Sequence, residues 1–227
     1  MISAKKFIIL TILSVSLSKA YGQSEDKLGS WYIYNGFFKF SPKVELFFDS
    51  QLRTYEVTAN PETFIVRPYF TYNINNHVQP GIGLEYLKFW TYDEIPENKT
   101  SLEEFRISLQ LILSHKVDRF ALQHRYRYEF RYIEGTPFQR MRYRLQVTVP
   151  FNSKELEKGS FFTNAYFETF VRTDPRLAFD QIWLYLAGGY QFTDNLNLQI
   201  GYLAVLQDTS THSRLQFFLT HKLWFYK

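Results

Sequence analysis

The stretch FALQHRYRYEFRYI-EGTP-FQRMRYRLQVTVPF, Phe120 to Phe151, decides how this chain is read. Phe120, Leu122, His124, Tyr126, Tyr128, Phe130 and Tyr132 fall on one side of a period-two alternation. Ala121, Gln123, Arg125, Arg127, Glu129 and Arg131 fall on the other. The second half repeats it: Met141, Tyr143, Leu145, Val147, Val149 and Phe151 alternate with Arg140, Arg142, Arg144, Gln146 and Thr148. A period of two means strands, and Glu134-Gly135-Thr136-Pro137 between them makes a hairpin. Both strands carry one apolar, aromatic-rich face and one charged face.

The alternation extends from this hairpin in both directions. Upstream, Phe105, Ile107, Leu109, Leu111 and Leu113 oppose Arg106, Ser108 and Gln110. Before that, Val78, Ile82, Leu84, Tyr86 and Trp90 oppose Gln79, Gly81, Gly83 and Glu85, where the glycines leave room for long arginines or mark curvature. Downstream, Asn164, Glu168 and Arg172 share a face, and the last strand runs Leu215, Phe217, Leu219, Leu223, Phe225. Trp31 to Phe40 reads as a strand whose faces are poorly separated. Eleven segments qualify in all. A bacterial barrel with both termini on one side needs an even count, so ten or twelve strands are expected, with Trp31 to Phe40 the segment to reassign.

Strand length separates a membrane barrel from a soluble sheet. The segments run about 12 to 14 residues, against a mode of about 5 to 6 in soluble sheets. Thirteen residues at about 3.3 Å each, tilted about 40°, rise roughly 33 Å, enough for the hydrocarbon layer. The aromatic share of 19%, with 23 Phe and 17 Tyr, suits girdles at two bilayer interfaces. A secreted soluble sandwich or lipocalin-like barrel is the alternative; it would have to turn the arginine faces to water and pack the tyrosines inside. Turns near 41, 75, 117 and 194 are expected on the periplasmic side, as is the longer connection Asn152 to Gly159. The connections at 57, 93, 134, 174 and 207 are expected outside.

At the start of the chain, Lys5 and Lys6 precede an apolar run from Phe7 to Leu17, followed by Ala20 and Gly22. That is the layout of a secretory signal peptide, with cleavage expected before Gln23 or, alternatively, after Ala20. No run of about 18 apolar residues follows, so a membrane-integral form must cross as strands. Cysteine is absent, which leaves no disulfide scaffold and no cysteine for a lipid anchor. The formal charge of +4 falls to +1 once Lys5, Lys6 and Lys19 of the leader are set aside. A nearly neutral exported chain has no global field for nucleic acid.

With Glu134 to Pro137 as the loop, residue i faces 271 minus i across the hairpin. Arg131 then meets Arg140, Glu129 meets Arg142 and Arg127 meets Arg144. Like charges opposite one another destabilise a sheet, so other strands must supply carboxylates. Glu168 is the first candidate, with Glu85, Glu45 and Asp49 behind it. Two readings follow: a structural charge lattice filling a narrow barrel, or a positive constriction that binds anions, since an arginine row fits carboxylate and phosphate. For catalysis the best constellation is His212 with Asp208 and Ser213, near outer loops that also hold Asp93 and Asp174. Ser114-His115 is poorer, because adjacent strand residues point to opposite faces. His124 and His221 fall on apolar faces, and the five histidines show no metal-ligand spacing.

Arg125-Tyr126-Arg127-Tyr128-Glu129-Phe130-Arg131 followed by Arg140-Met141-Arg142-Tyr143-Arg144-Leu145 resembles the domain-of-unknown-function family 2490, outer-membrane barrels of Gram-negative bacteria. Trp31 soon after the leader, Glu168 in the next strand and Phe179-Asp180-Gln181 opening a later one add to the resemblance, which covers nearly the whole mature chain. Trp183 stands where another basic residue would be expected. The resemblance implies location and fold and names no substrate.

The expected protein is therefore all-β: residues 1–22 a signal peptide and 23–227 an antiparallel transmembrane β-barrel, exported through the Sec pathway to the bacterial outer membrane. Its lumen network is expected to comprise Arg125, Arg127, Glu129, Arg131, Arg140, Arg142 and Arg144, together with Glu168 and Arg172. The expected role is structural or a narrow conduit for small, including anionic, solutes, with no enzyme activity and no cofactor. The alternative is a barrel hydrolase or transferase with a rim site near His212. Expected partners are outer-membrane lipid, the barrel-assembly machinery and a small-molecule or anion ligand in the lumen.

Overall fold

The structure, a computed structural model, describes residues 28–92 and 99–226. The expected signal peptide, its cleavage site and Asp93 lie outside the described residues. Eleven strands follow one another: β1 (Gly29–Lys39), β2 (Val44–Thr54), β3 (Pro61–Tyr72), β4 (Val78–Tyr92), β5 (Lys99–Val117), β6 (Phe120–Ile133), β7 (Thr136–Pro150), β8 (Phe161–Asp174), β9 (Ala178–Thr193), β10 (Leu196–Leu206) and β11 (Thr211–Trp224). Each pairs antiparallel with its chain neighbours, and the ring is closed by β1 against β11. Closure leaves no exposed edge, so all ladder hydrogen bonds are internal.

The count of eleven corrects the expected ten or twelve. An odd ring can close only if its first and last strands run the same way, and β1 and β11 are parallel from Gly29↔Arg214 to Lys39↔Trp224. The even-number rule assumes that both termini lie at one end. Here β1 starts at the end bearing the β2–β3 and β6–β7 connections, the loop end. β11 finishes at the opposite end, the turn end. Tyr32 stacked on Phe217 at 5.3 Å and Phe40 on Phe225 at 5.5 Å cover the seam from outside.

Trp31 to Lys39 is part of a full strand, β1, which ends before Phe40. Its inward face is itself apolar at Trp31, Ile33 and Phe37, because part of the lumen wall is apolar. Trp31 and Ile33 pack with Tyr185, Ala187, Leu203 and Val205 in a buried cluster on the inner side of β1, β9 and β10. Elsewhere the pattern is inverted relative to a soluble protein. Arg106, Arg127, Glu85, Glu129 and Glu168 are buried inside, while Ile82, Leu109, Met141, Leu186 and Ile200 are exposed on the outer wall. Aromatic side chains edge this apolar band: Phe40, Phe120, Phe151 and Phe161 at the turn end, Phe105, Tyr132 and Phe179 toward the loop end.

The central hairpin differs from the expected register by two. Ile133 pairs with Thr136, so the turn is only Glu134-Gly135, and residue i faces 269 minus i. Both turn residues have positive φ, 47° and 80°, the two-residue geometry whose twist matches that of the strands. Glu129 therefore faces Arg140, Arg127 faces Arg142 and Arg125 faces Arg144.

Glycine on the inner face makes room for an aromatic ring. Gly83 pairs with Tyr69, whose ring lies against it; a Cβ at Gly83 would clash with ring atoms 2.3–2.5 Å away. The Tyr69 hydroxyl hydrogen-bonds Glu85, and the Arg127 guanidinium lies 4.4 Å above the same ring. Gly83→Ala is expected to cost about 1–3 kcal/mol by overpacking. Gly188→Ala, where a Cβ meets nothing within 4 Å, should change stability by less than about 0.5 kcal/mol. Urea titration of the folded band on a gel measures both, and equal effects would remove the steric account.

Candidate functional site

The wall formed by β4 to β8 brings four carboxylates, Glu85, Glu104, Glu129 and Glu168, against seven arginines: Arg106, Arg125, Arg127, Arg131, Arg140, Arg142 and Arg144. All four carboxylates are at most 1% exposed. Buried charge is tolerated only with partners and hydrogen bonds, and the partners are close. Glu129 receives Arg140 through Oε2 and Arg142 through Oε1, each at 2.7 Å, with Arg106 at 4.0 Å. Glu104 receives Arg106 at 2.6 Å and Arg131 at 2.5 Å. Glu168 Oε1 accepts from Arg125 at 2.7 Å and Arg142 at 2.9 Å. Arg144, its direct cross-strand neighbour, instead donates to Gln123 at 3.2 Å.

Sequence alternation did not identify all members of this lattice. Glu104 lies at the polar start of a long strand and would be read as loop. Asp180 sits in a bulge, where Phe170 pairs with Gln181 and Val171 with Phe179. The extra residue carries its carboxylate to 3.0 Å from Arg140. Arg106 was visible as an alternating arginine, but its bridging of Glu85, Glu104 and Glu129 needs the register. Conversely, Arg172 faces Arg140 in register yet lies at the exposed rim and makes no ion pair with a described residue. Asp49 pairs with Arg67 at 2.7 Å, and Glu45 with Lys39 at 3.8 Å, both away from the central arginines.

The lattice divides the lumen. Glu104, Arg106, Arg131 and Arg140, with the buried side chains of Ile65, Leu87 and Phe170, lie in the loop-end half. Across from them, Arg53 lies 3.5 Å above the Trp31 ring, and Trp31 meets Trp183 edge-on at 5.1 Å. Trp183 is also 5.6 Å from the Arg142 guanidinium, so an aromatic face stands where a basic residue was expected. Below this layer a cavity of about 280 Å³ extends toward the turn end, past Arg125, Arg127 and Arg144 to Thr148 and Lys222. Leu156, from the β7–β8 connection, lines its mouth. That connection is tied down by Lys116, which donates to Glu155 at 2.6 Å and holds its carboxyl below the usual carboxylate range.

At the loop-end rim, His212 Nε2 lies 3.1 Å from Ser210 Oγ. Ser213 points to the other face, where its hydroxyl meets that of Tyr202 at 2.6 Å. Ser114 and His115 are likewise separated, His115 stacking on His124 outside the barrel at 5.4 Å.

These features define the class: a closed β-barrel with an inverted, ion-paired interior. The chain belongs to the family described as a protein of unknown function, DUF2490, whose model matches residues 28–216. No curated protein and no solved structure matches it.

Proposed function

We propose that this protein is an integral outer-membrane barrel whose lumen is closed at the loop end and forms a blind, positively charged pocket at the turn end, facing the periplasm. The observation that carries this reading is the inversion of polarity. An exposed aliphatic band between two aromatic edges, around a lumen holding the Arg–Glu lattice, is the surface that hydrocarbon with two interfaces requires. Twelve residues of a strand such as β3 rise roughly 30 Å at a tilt of about 40°. Outer-membrane lipid would cover that band, and the barrel-assembly machinery would deliver the chain. The pairing of Ser213 with His212 that a rim hydrolase would use is not made, since the two side chains lie on opposite faces of one strand.

The test has two arms. The native protein should fractionate with the outer membrane and shift its gel mobility on boiling, as closed barrels do. In planar bilayers the wild-type barrel should show no sustained ion conductance, because the lattice occupies the loop-end half. A soluble, non-shifting protein would sink the membrane reading, and steady single-channel steps would sink the closed lumen.

A further inference from the structure

We infer that the turn-end pocket binds a small amphiphilic anion, with a carboxylate or phosphate head on Arg125, Arg127 and Arg144 and an apolar, ring-sized body against the wall of β1 and β11. The inference deepens the blind-pocket reading and rests on it.

The head group follows from where the charge surplus lies. Toward the loop end, Arg106, Arg131 and Arg140 share Glu104, Glu129 and Asp180 at close range. Toward the turn end, Arg125 has only Glu168, which it shares with Arg142, and Arg127 approaches Glu85 only to 3.8 Å. Arg144 makes no ion pair with a described residue. The Nε atoms of all three, and Nη1 of Arg127, make no hydrogen bond to the protein, although Arg127 is 97% buried. A buried guanidinium with idle donors is destabilising unless something accepts from it. These three guanidiniums line one cavity wall with fewer carboxylates than charges, an arrangement that suits an oxyanion.

The body of the ligand follows from the ring order. Counting around the closed barrel, β6 is five strands from β1 in one direction and five from β11 in the other, so the arginines of β6 and β7 face the seam. The seam side of the cavity carries Trp31, Ile33, Phe37 and Phe218, four apolar side chains set among Asn35, Gln216, Thr220 and Lys222. The Tyr185 hydroxyl and the Trp31 indole N–H there also lack protein partners. Eleven strands spaced about 4.8 Å apart and tilted about 40° enclose a diameter of roughly 22 Å. Side chains reaching in from both walls leave space for one ring-sized molecule, in keeping with a cavity of about 280 Å³.

Calorimetric titration of the full chain folded in a zwitterionic detergent tests this with benzoate, phenyl phosphate, benzyl alcohol and inorganic phosphate as probes. One of the two aromatic anions should bind one-to-one, at least about tenfold tighter than benzyl alcohol or inorganic phosphate; which one it is names the head group. Arg144→Gln should weaken that binding about tenfold. Phe218→Ala should weaken the aromatic anion while leaving any inorganic phosphate binding unchanged. Mobility shift on boiling shows that each variant is folded. Benzyl alcohol binding as tightly as benzoate, no binding of either aromatic anion, or folded Arg144→Gln and Phe218→Ala proteins that bind like wild type would each overturn the inference. A barrel that conducts ions but binds benzoate would sink the closed lumen alone.

Discussion

Glu129→Gln is expected to destabilise the folded barrel by about 3–5 kcal/mol, the cost of removing one partner from a buried ion cluster. Glu129 has no exposure, and its two oxygens each take an arginine at 2.7 Å, with a third guanidinium 4.0 Å away. Glutamine keeps the volume and one acceptor oxygen but loses the charge. Arg140 would then rely on Asp180, and Arg142 on the Glu168 oxygen it shares with Arg125. The measurement is a urea titration of folding into lipid vesicles, read by mobility shift. Glu103→Gln is the control: Glu103 meets Lys88 at 3.4 Å on the outer surface, with its side chain 55% exposed, and should change stability by less than about 0.5 kcal/mol. Adding Arg142→Gln to Glu129→Gln removes one stranded cation and should recover part of the loss. If Glu129→Gln behaves like Glu103→Gln, the lattice is not what holds the lumen together.

The same residues explain how much of this was legible in the sequence. On β5, β6 and β7 the inner face is mostly arginine, glutamine, glutamate and serine and the outer face mostly aliphatic or aromatic, so a period of two assigns both faces. On β1 the rule has nothing to contrast, because Trp31 and Ile33 line an apolar sector of the lumen while Tyr32 and Tyr34 face outward. Alternation also does not fix register. Asn-Gly or Asp-Gly at residues 134–135 would have signalled a two-residue turn, whereas Glu134 adopts the left-handed conformation without that signal. Glu168 was recognisable as a partner for the arginines, but the particular arginines depend on a register two residues away from the simplest one. Asp180 was hidden by its bulge, which breaks the periodicity that would have placed it.

The parallel seam makes a second, all-or-none prediction. In an even barrel the first and last strands are antiparallel neighbours, and both termini emerge on one side. With eleven strands, Gly29 lies at the end of the β6–β7 turn, and Phe225 lies at the end of the β5–β6 turn. Parallel pairing is slightly weaker per residue than antiparallel, so the seam must gain elsewhere. Eleven residue pairs, the stacked Tyr32–Phe217 rings and the bond from the Phe225 amide to the Lys39 carbonyl at 2.8 Å provide that. Because the chain has no cysteine, single replacements report accessibility without background. Leu28→Cys and Thr136→Cys should react with a membrane-impermeant maleimide from the same side of the membrane. Arg119→Cys and Tyr226→Cys should react only from the other. With the turn end in the periplasm, intact cells label the first pair and spare the second until the outer membrane is opened. The reverse assignment would invert the orientation and leave the fold intact. Labelling of Leu28→Cys and Tyr226→Cys from one side would instead mean an even number of crossings, and no parallel seam could then close the ring.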